Sequence, residues 1–318
     1  MSSTFDHGEV VHMGVMEHLR RIAYFAAVSF LILPGAGFAV YFMLLSPTDA
    51  LLVLPVAFAA TALGANTACH MYFTHRSFAC GRAVHILLAF LGTILCQDSI
   101  AQWTANHKRH HRHVDIVDKD PHTPRQFGEA FTARCTLGLL WASAGWKFSR
   151  VRTSKAFYAR QVLDDPVSAW FDRYYVMLSL AGLVAPFMLG YVFGGAQTAF
   201  KWFCYFGAFR VFVGYFFTEF VVNGLCHLVG SVKFRARGSS RNLVFLSPLT
   251  LGATLHHNHH AFPRVLSPAV DGEIDPMAWL YRFLEWSRLI RMEPGPTAIE
   301  VASKKLQPQP APAVAIQK

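Results

Sequence analysis

Charge is scarce in this chain, and what there is of it is lopsided. Asp, Glu, Lys and Arg make up 15% of the 318 residues, against 53% hydrophobic; a soluble domain carries about 25% charged residues. That shortage excludes an ordinary water-soluble domain. No C-x-x-C pair occurs among the six cysteines, Cys69, Cys80, Cys96, Cys135, Cys204 and Cys226. A dithiol redox motif and a cysteine-built zinc knuckle are therefore excluded, and reduced thiols are expected. No repeat of roughly 20–50 residues runs through the chain, so a solenoid is excluded as well.

Long uncharged runs stand where the charge is missing. Ile22–Leu45, Leu51–Cys69 and Tyr174–Phe200 contain 24, 19 and 27 residues, and a helix crossing a bilayer needs about 20. A fourth run, Trp202–Gly230, is apolar but carries Arg210 and Glu219. The run Ala83–Cys96 has only 14 residues and is read as re-entrant or interfacial. The first run begins too far from the N-terminus, and is too long, for a cleaved signal peptide. The expectation is an all-α integral membrane protein with four transmembrane helices in two hairpins, spanning about 22–45, 51–70, 174–194 and 200–228. A single membrane domain would occupy 1–295, followed by a disordered Pro- and Gln-rich tail over 296–318.

Basic residues give an orientation. The short connections Ser46–Ala50 and Gly194–Thr198 contain no Lys or Arg, whereas Trp103–Asp172 contains eleven and the stretch after Val229 another eleven. The positive-inside rule places both long segments, and both termini, on the cytoplasmic side of the inner membrane. The net charge of +10 reflects this asymmetry and attraction to anionic lipid headgroups rather than nucleic acid. It would also suit an acidic redox partner or acyl carrier.

Histidine is the abundant exception. Four spaced groups stand out: His70-x4-His75, His107-x2-His110-His111, Asn223-x3-His227 and His256-x2-His259-His260. Residues three and four apart share a helix face, so each H-x-x-H-H word can aim imidazoles at one point. His70 and His75, five apart, need a helix end or bend to converge. Counted from Leu51, His70 lies ~28 Å along its helix, and Asn223 and His227 lie about 30–38 Å along theirs from Trp202. All four groups thus reach one layer at the cytoplasmic edge. Nine imidazoles are too many for one ion and fit two, with Asn223 holding a bound water; imidazole alone does not choose among Fe, Zn, Cu and Ni. A metal transporter would instead string its ligands through the middle of the membrane. His7, His12, His18, His85, His113, His122 and His257 are read as interfacial residues or as supports for the ligands.

These words, in this order, resemble the membrane fatty acyl desaturases of the Δ9 type, over residues 20–292. The words "HRSF", "DPHTP" (120–124), "SRN" (240–242), "HHAFP" and "EIDPMAW" (273–279) extend the match. The resemblance implies a cytoplasmic helical cap carrying a His-rich di-iron centre, and O2-dependent removal of two hydrogens from an acyl chain. By position, the ligands would be His70, His75, His107, His110, His111, His227, His256, His259 and His260, with Asn223 binding through water. The substrate would be an acyl-CoA, an acyl carrier protein conjugate or an acyl lipid. No cytochrome b5-like H-P-G-G word is present, so electrons would come from an external donor of ferredoxin or cytochrome b5 type. Hydroxylation or acetylenation on the same centre is the alternative outcome. Gln97, Asp98 and Trp103 resemble the entry to the second word and would line the acyl tunnel, as would Ser143. Arg109, Arg112, Lys119 and Arg125 would meet phosphates or form a solvated basic face.

Four positions depart from the family pattern. Ala253 stands where relatives carry an acid, with His257 in place of Asn; Ser143 replaces a histidine; and Gly224 follows Asn223 in place of Ser. Glu219 is an addition. It shares a helix face with Asn223 and His227, so it either orients that part of the centre or pairs with Arg210 nine residues earlier.

Overall fold

The computed structural model describes residues 8–306, and among them three helical stretches are long and apolar enough to cross a membrane. Helix α1, Val15–Leu45, and α2, Pro47–Thr74, meet at Ser46. Pro47 opens α2, where its missing N–H costs nothing. Helix α3, Arg82–Thr93, takes up the short apolar run, and its 12 residues reach only about 18 Å. Helix α4, Ile100–Arg112, starts on Ser99, whose side chain accepts the Gln102 N–H. Short helical turns fill 131–173 and lead to α5, Tyr175–His227.

Helix α5 is a predominantly apolar helical stretch of 53 residues, ~80 Å if straight, far beyond a hydrocarbon core of about 30 Å. It folds back at Gly195, which sits at φ 72°, ψ −166°, a backbone that side-chain-bearing residues avoid. The two arms then press together through glycines. A Cβ on Gly190 would lie 2.8 Å from Ala199 Cα, and one on Gly207 would lie 2.6 Å from Leu183 O. Gly190→Ala is expected to wedge the arms apart at a cost of about 1–3 kcal/mol. Thermal unfolding in detergent checks this, and an unchanged midpoint would count against the close approach.

Small side chains on α1 and α2 let larger ones of α5 pack close: Ala36, Ala39, Val53 and Ala57 form one buried cluster with Cys204, Tyr205, Phe209 and Val213. Asp49, just after the α1–α2 turn, receives Lys201 Nζ at 2.6 Å and Tyr205 Oη at 2.8 Å. Those contacts tie the two charge-poor turns side by side. Outward lie Phe30, Leu44, Leu51, Val192 and Phe193, each 75–79% exposed, as a lipid-facing surface requires.

Beyond α5 come α6, His256–Ala261; α7, Met277–Trp286; and α8, Ala298–Lys304. Two expectations need correction here. The fold is not wholly α: β1 (Val10–His12) pairs antiparallel with β3 (Val151–Thr153), and β2 (Phe78–Cys80) with β4 (Ile290–Met292). Three-residue strands are too short to show the alternation by which a strand is read. The tail expected from 296 is structured through 306. Thr297 and Glu300 form a reciprocal capping box that opens α8, Lys304 Nζ donates to Ala261 O at 2.6 Å, and Leu306 N–H donates to Lys233 O at 2.9 Å. Residues 307–318, and His7, lie outside the described residues.

Candidate metal centre and acyl cavity

The last turns of α2 are wider than an α-helix. Over Ala62–Thr74 the hydrogen bonds run five residues back, and the His75 N–H continues the pattern to His70 O at 3.1 Å. In such a helix residues five apart stack, so His70 and His75 meet with ring centroids 4.9 Å apart. The helix does not end near His70 as expected; it widens and delivers both imidazoles. From α4, His107 and His111 project together with Nε2 atoms 3.0 Å apart, while His110 turns the other way. His227 ends α5, and α6 supplies His256, His259 and His260.

The nine histidines sort into two groups: His70, His75, His107, His111 and His259, and His110, His227, His256 and His260. Within each, one nitrogen per ring lies within 4.8 Å of all the others. The spacing of the words in the sequence foreshadowed the nine residues but not this division, which cuts across the second and fourth words.

The donor chemistry shows what the groups fit. His70 Nδ1 meets Asn66 Oδ1 at 3.0 Å, His110 Nδ1 meets Asp120 Oδ2 at 2.9 Å and His227 Nδ1 meets Asp115 Oδ2 at 3.2 Å. An acceptor at Nδ1 places the proton there and leaves Nε2 as a bare lone pair. Yet the Nε2 of His70 lies 2.9 Å from that of His259, His227 lies 3.0 Å from His256, and His110 lies 3.3 Å from His260. One N–H···N bond satisfies a single pair, but His259 Nε2 lies 2.9 Å from both His70 and His111, and His256 Nε2 lies 3.0 Å from His227 and 2.9 Å from His260, more nitrogens than one proton can link. Nitrogens ~3 Å apart also match adjacent ligands on an ion with metal–nitrogen bonds of about 2.1 Å. The residues fit a pair of metal ions.

Burial keeps these imidazoles in the neutral form a metal would need. It pushes the imidazoles of His75, His107, His111, His256, His259 and His260 well below their ordinary value, and neighbouring imidazoles add to the effect. In the unfolded chain the same rings take protons near 6.5. Acid therefore protonates the unfolded state first, and stability present above about 6.5 is lost as pH falls. The denaturation midpoint of metal-free protein is expected to drop from pH 7.5 to 5; a flat profile would contradict neutral burial.

Sequence reading missed the supporting acids. Burial alone would raise Asp120 and Asp115, but Asp120 is held low by His110 and His122, and Asp115 well below the carboxylate range by His227 and Ser239. Asp120 opens the "DPH" word, so a signal was present; Asp115 and Asn66 had none. Asp120→Ala is expected to weaken metal retention by about 10–100-fold, read by chelator competition, whereas an unchanged off-rate would deny it an orienting role. His122 stacks on His110 at 4.4 Å, its pKa lowered by burial and by His110 to about 3. His257 lies outside both groups: its Nδ1 donates to Ser240 O at 2.9 Å and its Nε2 accepts the Phe234 N–H at 3.0 Å, pinning the loop before α6.

An apolar cavity abuts the histidines. Phe58, Ala62, Phe217, Val222 and Leu251 wall it, and His70, His107, Asn223, His256 and Ala253 close one side. Trp103 stands in its wall, stacked on His107 at 5.0 Å. Gln97 lines a smaller polar chamber behind Trp103. Asp98 does not join either wall; it turns to Arg21 at 3.7 Å, and its N–H is taken by Tyr175 Oη. Ser143 is also absent from the cavity. Its hydroxyl donates to Leu139 O at 2.7 Å, and its helix packs against Gly224, where a Cβ would meet Leu139 Cδ1 at 2.5 Å. Ser143 and Gly224 thus form one packing contact. Arg109 is buried, bonded to Thr153 Oγ1 and the Asp118 carbonyl, and lines a cavity with Arg21 and Arg152.

Glu219 resolves its two readings in part. Arg210 donates to the carbonyls of Phe206, Ile94 and Gly182, so the Glu219–Arg210 pairing is not made. The backbone carbonyls freed by neighbouring turns satisfy that guanidinium instead. Glu219 accepts the Asn223 amide at 2.9 Å, leaving the Asn223 carbonyl oxygen free of this contact, and pairs with Lys147 at 2.8 Å. Lys147, 72 positions upstream, was not anticipated.

A model of the family described as fatty acid desaturase matches residues 50–269. The chain belongs to the fatty acid desaturase family. Among curated relatives, this desaturase is 30% identical over 253 residues, 78% of each chain, to the hex-5-enoyl-(acyl-carrier protein) acetylenase of Moorena producens (strain JHB). It is 28% identical over 224 residues to the sn-2 palmitoyl-lipid 9-desaturase of Nostoc sp. (strain 36), covering 68% of this chain and 71% of that one. Stearoyl-CoA desaturase 5 of Bos taurus is 27% identical over 260 residues, 78% and 73% of the two chains. The desaturase is accordingly a membrane oxidoreductase acting on fatty acyl chains, and the transporter reading falls away.

Proposed function

We propose that the two histidine groups hold two iron ions and that the enzyme uses O2 to desaturate an acyl chain lying in the apolar cavity. His70, His75, His107, His111 and His259 take one ion; His110, His227, His256 and His260 take the other. Asn223, one turn before His227, completes the smaller set through water. The observation that carries this reading is the convergence of one ring nitrogen from every histidine, within 4.8 Å of all the others, in both groups. When bound, the iron pair supplies the oxidant that an unactivated C–H bond demands.

The chain's own residues do the rest. Asp120, Asp115 and Asn66 hold three imidazoles in the tautomer that faces the ions. Trp103, fixed on His107, and the walls from Phe58 to Leu251 grip methylenes and keep water out. Four spans in two hairpins, with both termini on the basic cytoplasmic side, fit the fold-back at Gly195 and the Lys and Arg counts. The catalytic domain extends through about residue 295, with α8 docked on it. Electrons come from a separate ferredoxin or cytochrome b5 type donor, for which that basic face is a suitable dock.

One relative bears the name acetylenase, so a triple bond is the second product to look for. Expression in a host supplied with defined acyl chains on CoA, acyl carrier protein and glycerolipid, followed by mass spectrometry, tests the reading. New unsaturated product from one carrier is expected. Iron-loaded protein that converts none of them would overturn it.

A further inference from the structure

Three cavities abut one another in the cytoplasmic half of the molecule. The most basic of them is lined by Arg21, Arg109, Arg152, Asn106 and Trp146. Asn106 and Trp146 also wall the small polar chamber, together with Gln97, Lys147 and Glu219. That chamber in turn shares Trp103, His107 and Asn223 with the apolar cavity. A chain entering from the basic surface would pass the chamber before reaching the histidines.

The chamber is built unlike the rest of the path. Lys147 and Glu219 are 3% exposed, and burying an ion pair costs several kcal/mol per charge before the attraction is counted. Such a pair beside a metal site is a functional candidate by default. The Lys147 ammonium makes one short contact, to Glu219 at 2.8 Å, and otherwise lies over the rings of Trp146 at 4.2 Å and Phe25 at 5.5 Å. Both amide atoms of Gln97 and the Trp146 Nε1 are buried with no partner among the described residues. The chamber measures about 20 Å³, room for one polar atom or water rather than for a run of methylenes.

We propose that this chamber seats the carbonyl oxygen of the acyl substrate, hydrogen-bonded by Lys147 with Glu219 holding the ammonium in place, so that the enzyme acts on short acyl chains near their carbonyl end. This rests on the desaturase reading above. Two contacts and one carboxylate link Lys147 Nζ to the Asn223 amide nitrogen, so the two lie at most ~8 Å apart along the 2.8 Å and 2.9 Å bonds. Extended carbon chain covers that in about six bonds. The oxidised bond therefore lies within about six carbons of the carbonyl, and a longer apolar stretch between carbonyl and centre would have to bury methylenes against two charges.

The test is to give the iron-loaded, membrane-embedded enzyme acyl chains from six to eighteen carbons and locate the new unsaturation by mass spectrometry. Wild type is expected to prefer the short members and to place the bond within about six carbons of the carbonyl. The double variant K147M/E219L removes both charges together. It is expected to lose about 10–100-fold in kcat/KM for short chains, the worth of a hydrogen bond to a charged group, and to lose positional fidelity with its iron retained. Wild-type product unsaturated nine or more carbons from the carbonyl would overturn the proposal while leaving the desaturase reading intact, as would a double variant of unchanged chain preference. Iron-loaded wild type yielding no unsaturated product from any chain would overturn both.

Discussion

His259→Ala is expected to abolish product formation, by more than about a hundredfold, and to release one ion while the protein remains folded. The imidazole links three helices: its Nε2 lies 2.9 Å from that of His70 on α2 and 2.9 Å from that of His111 on α4. Removing it takes one of five donors from that group and exposes the remaining lone pairs to one another. Loss of an outer hydrogen-bond partner already costs 10–100-fold in such sites, and a direct donor costs more. The other group shares no ligand with the first, so elemental analysis should find close to half the wild-type metal. Full metal content with full turnover in the host assay would remove His259 from the ligand set.

The second large effect is on folding. Glu219→Ala leaves the Lys147 ammonium buried without its carboxylate, and breaking a buried pair this way costs roughly 3–5 kcal/mol. Asn223 also loses the acceptor that holds its amide. Removing both charges in K147M/E219L is expected to restore most of that stability, because apolar replacement of a buried pair is often neutral. The denaturation midpoints of the two single variants, the double and wild type form a cycle that isolates the coupling. Additive effects would mean that the pair is not a unit in the folded protein.

Local spacing explains what could be read in advance. The H-x-x-H-H words act through neighbouring turns of one helix, so α4 and α6 present their imidazoles as the sequence implies. Turns without Lys or Arg at Ser46 and Gly195, between runs of membrane length, likewise announce where the chain reverses. His70 and His75 were anticipated to converge, but the device is a widened helix rather than a helix end, and hydrogen-bond period leaves no mark in composition. What stayed hidden is long-range. Lys147 reaches Glu219 across 72 positions, and Asp115 reaches His227 across 112; neither acid nor lysine stands in a periodic word. Ser143 and Asp98 were placed in the tunnel by resemblance, yet packing against Gly224 and an ion pair with Arg21 claim them. The pairing of Glu219 with Arg210 was open on helix periodicity alone, and free backbone carbonyls decided it.

The measurement closest to the central claim is the metal content of the enzyme purified from iron-replete cells, taken alongside its product. Two irons per chain are expected, resistant to brief chelation, with activity proportional to iron and lost in His259→Ala. One ion per chain, or zinc that exchanges freely while unsaturated product still forms, would contradict a paired iron centre built from these nine histidines.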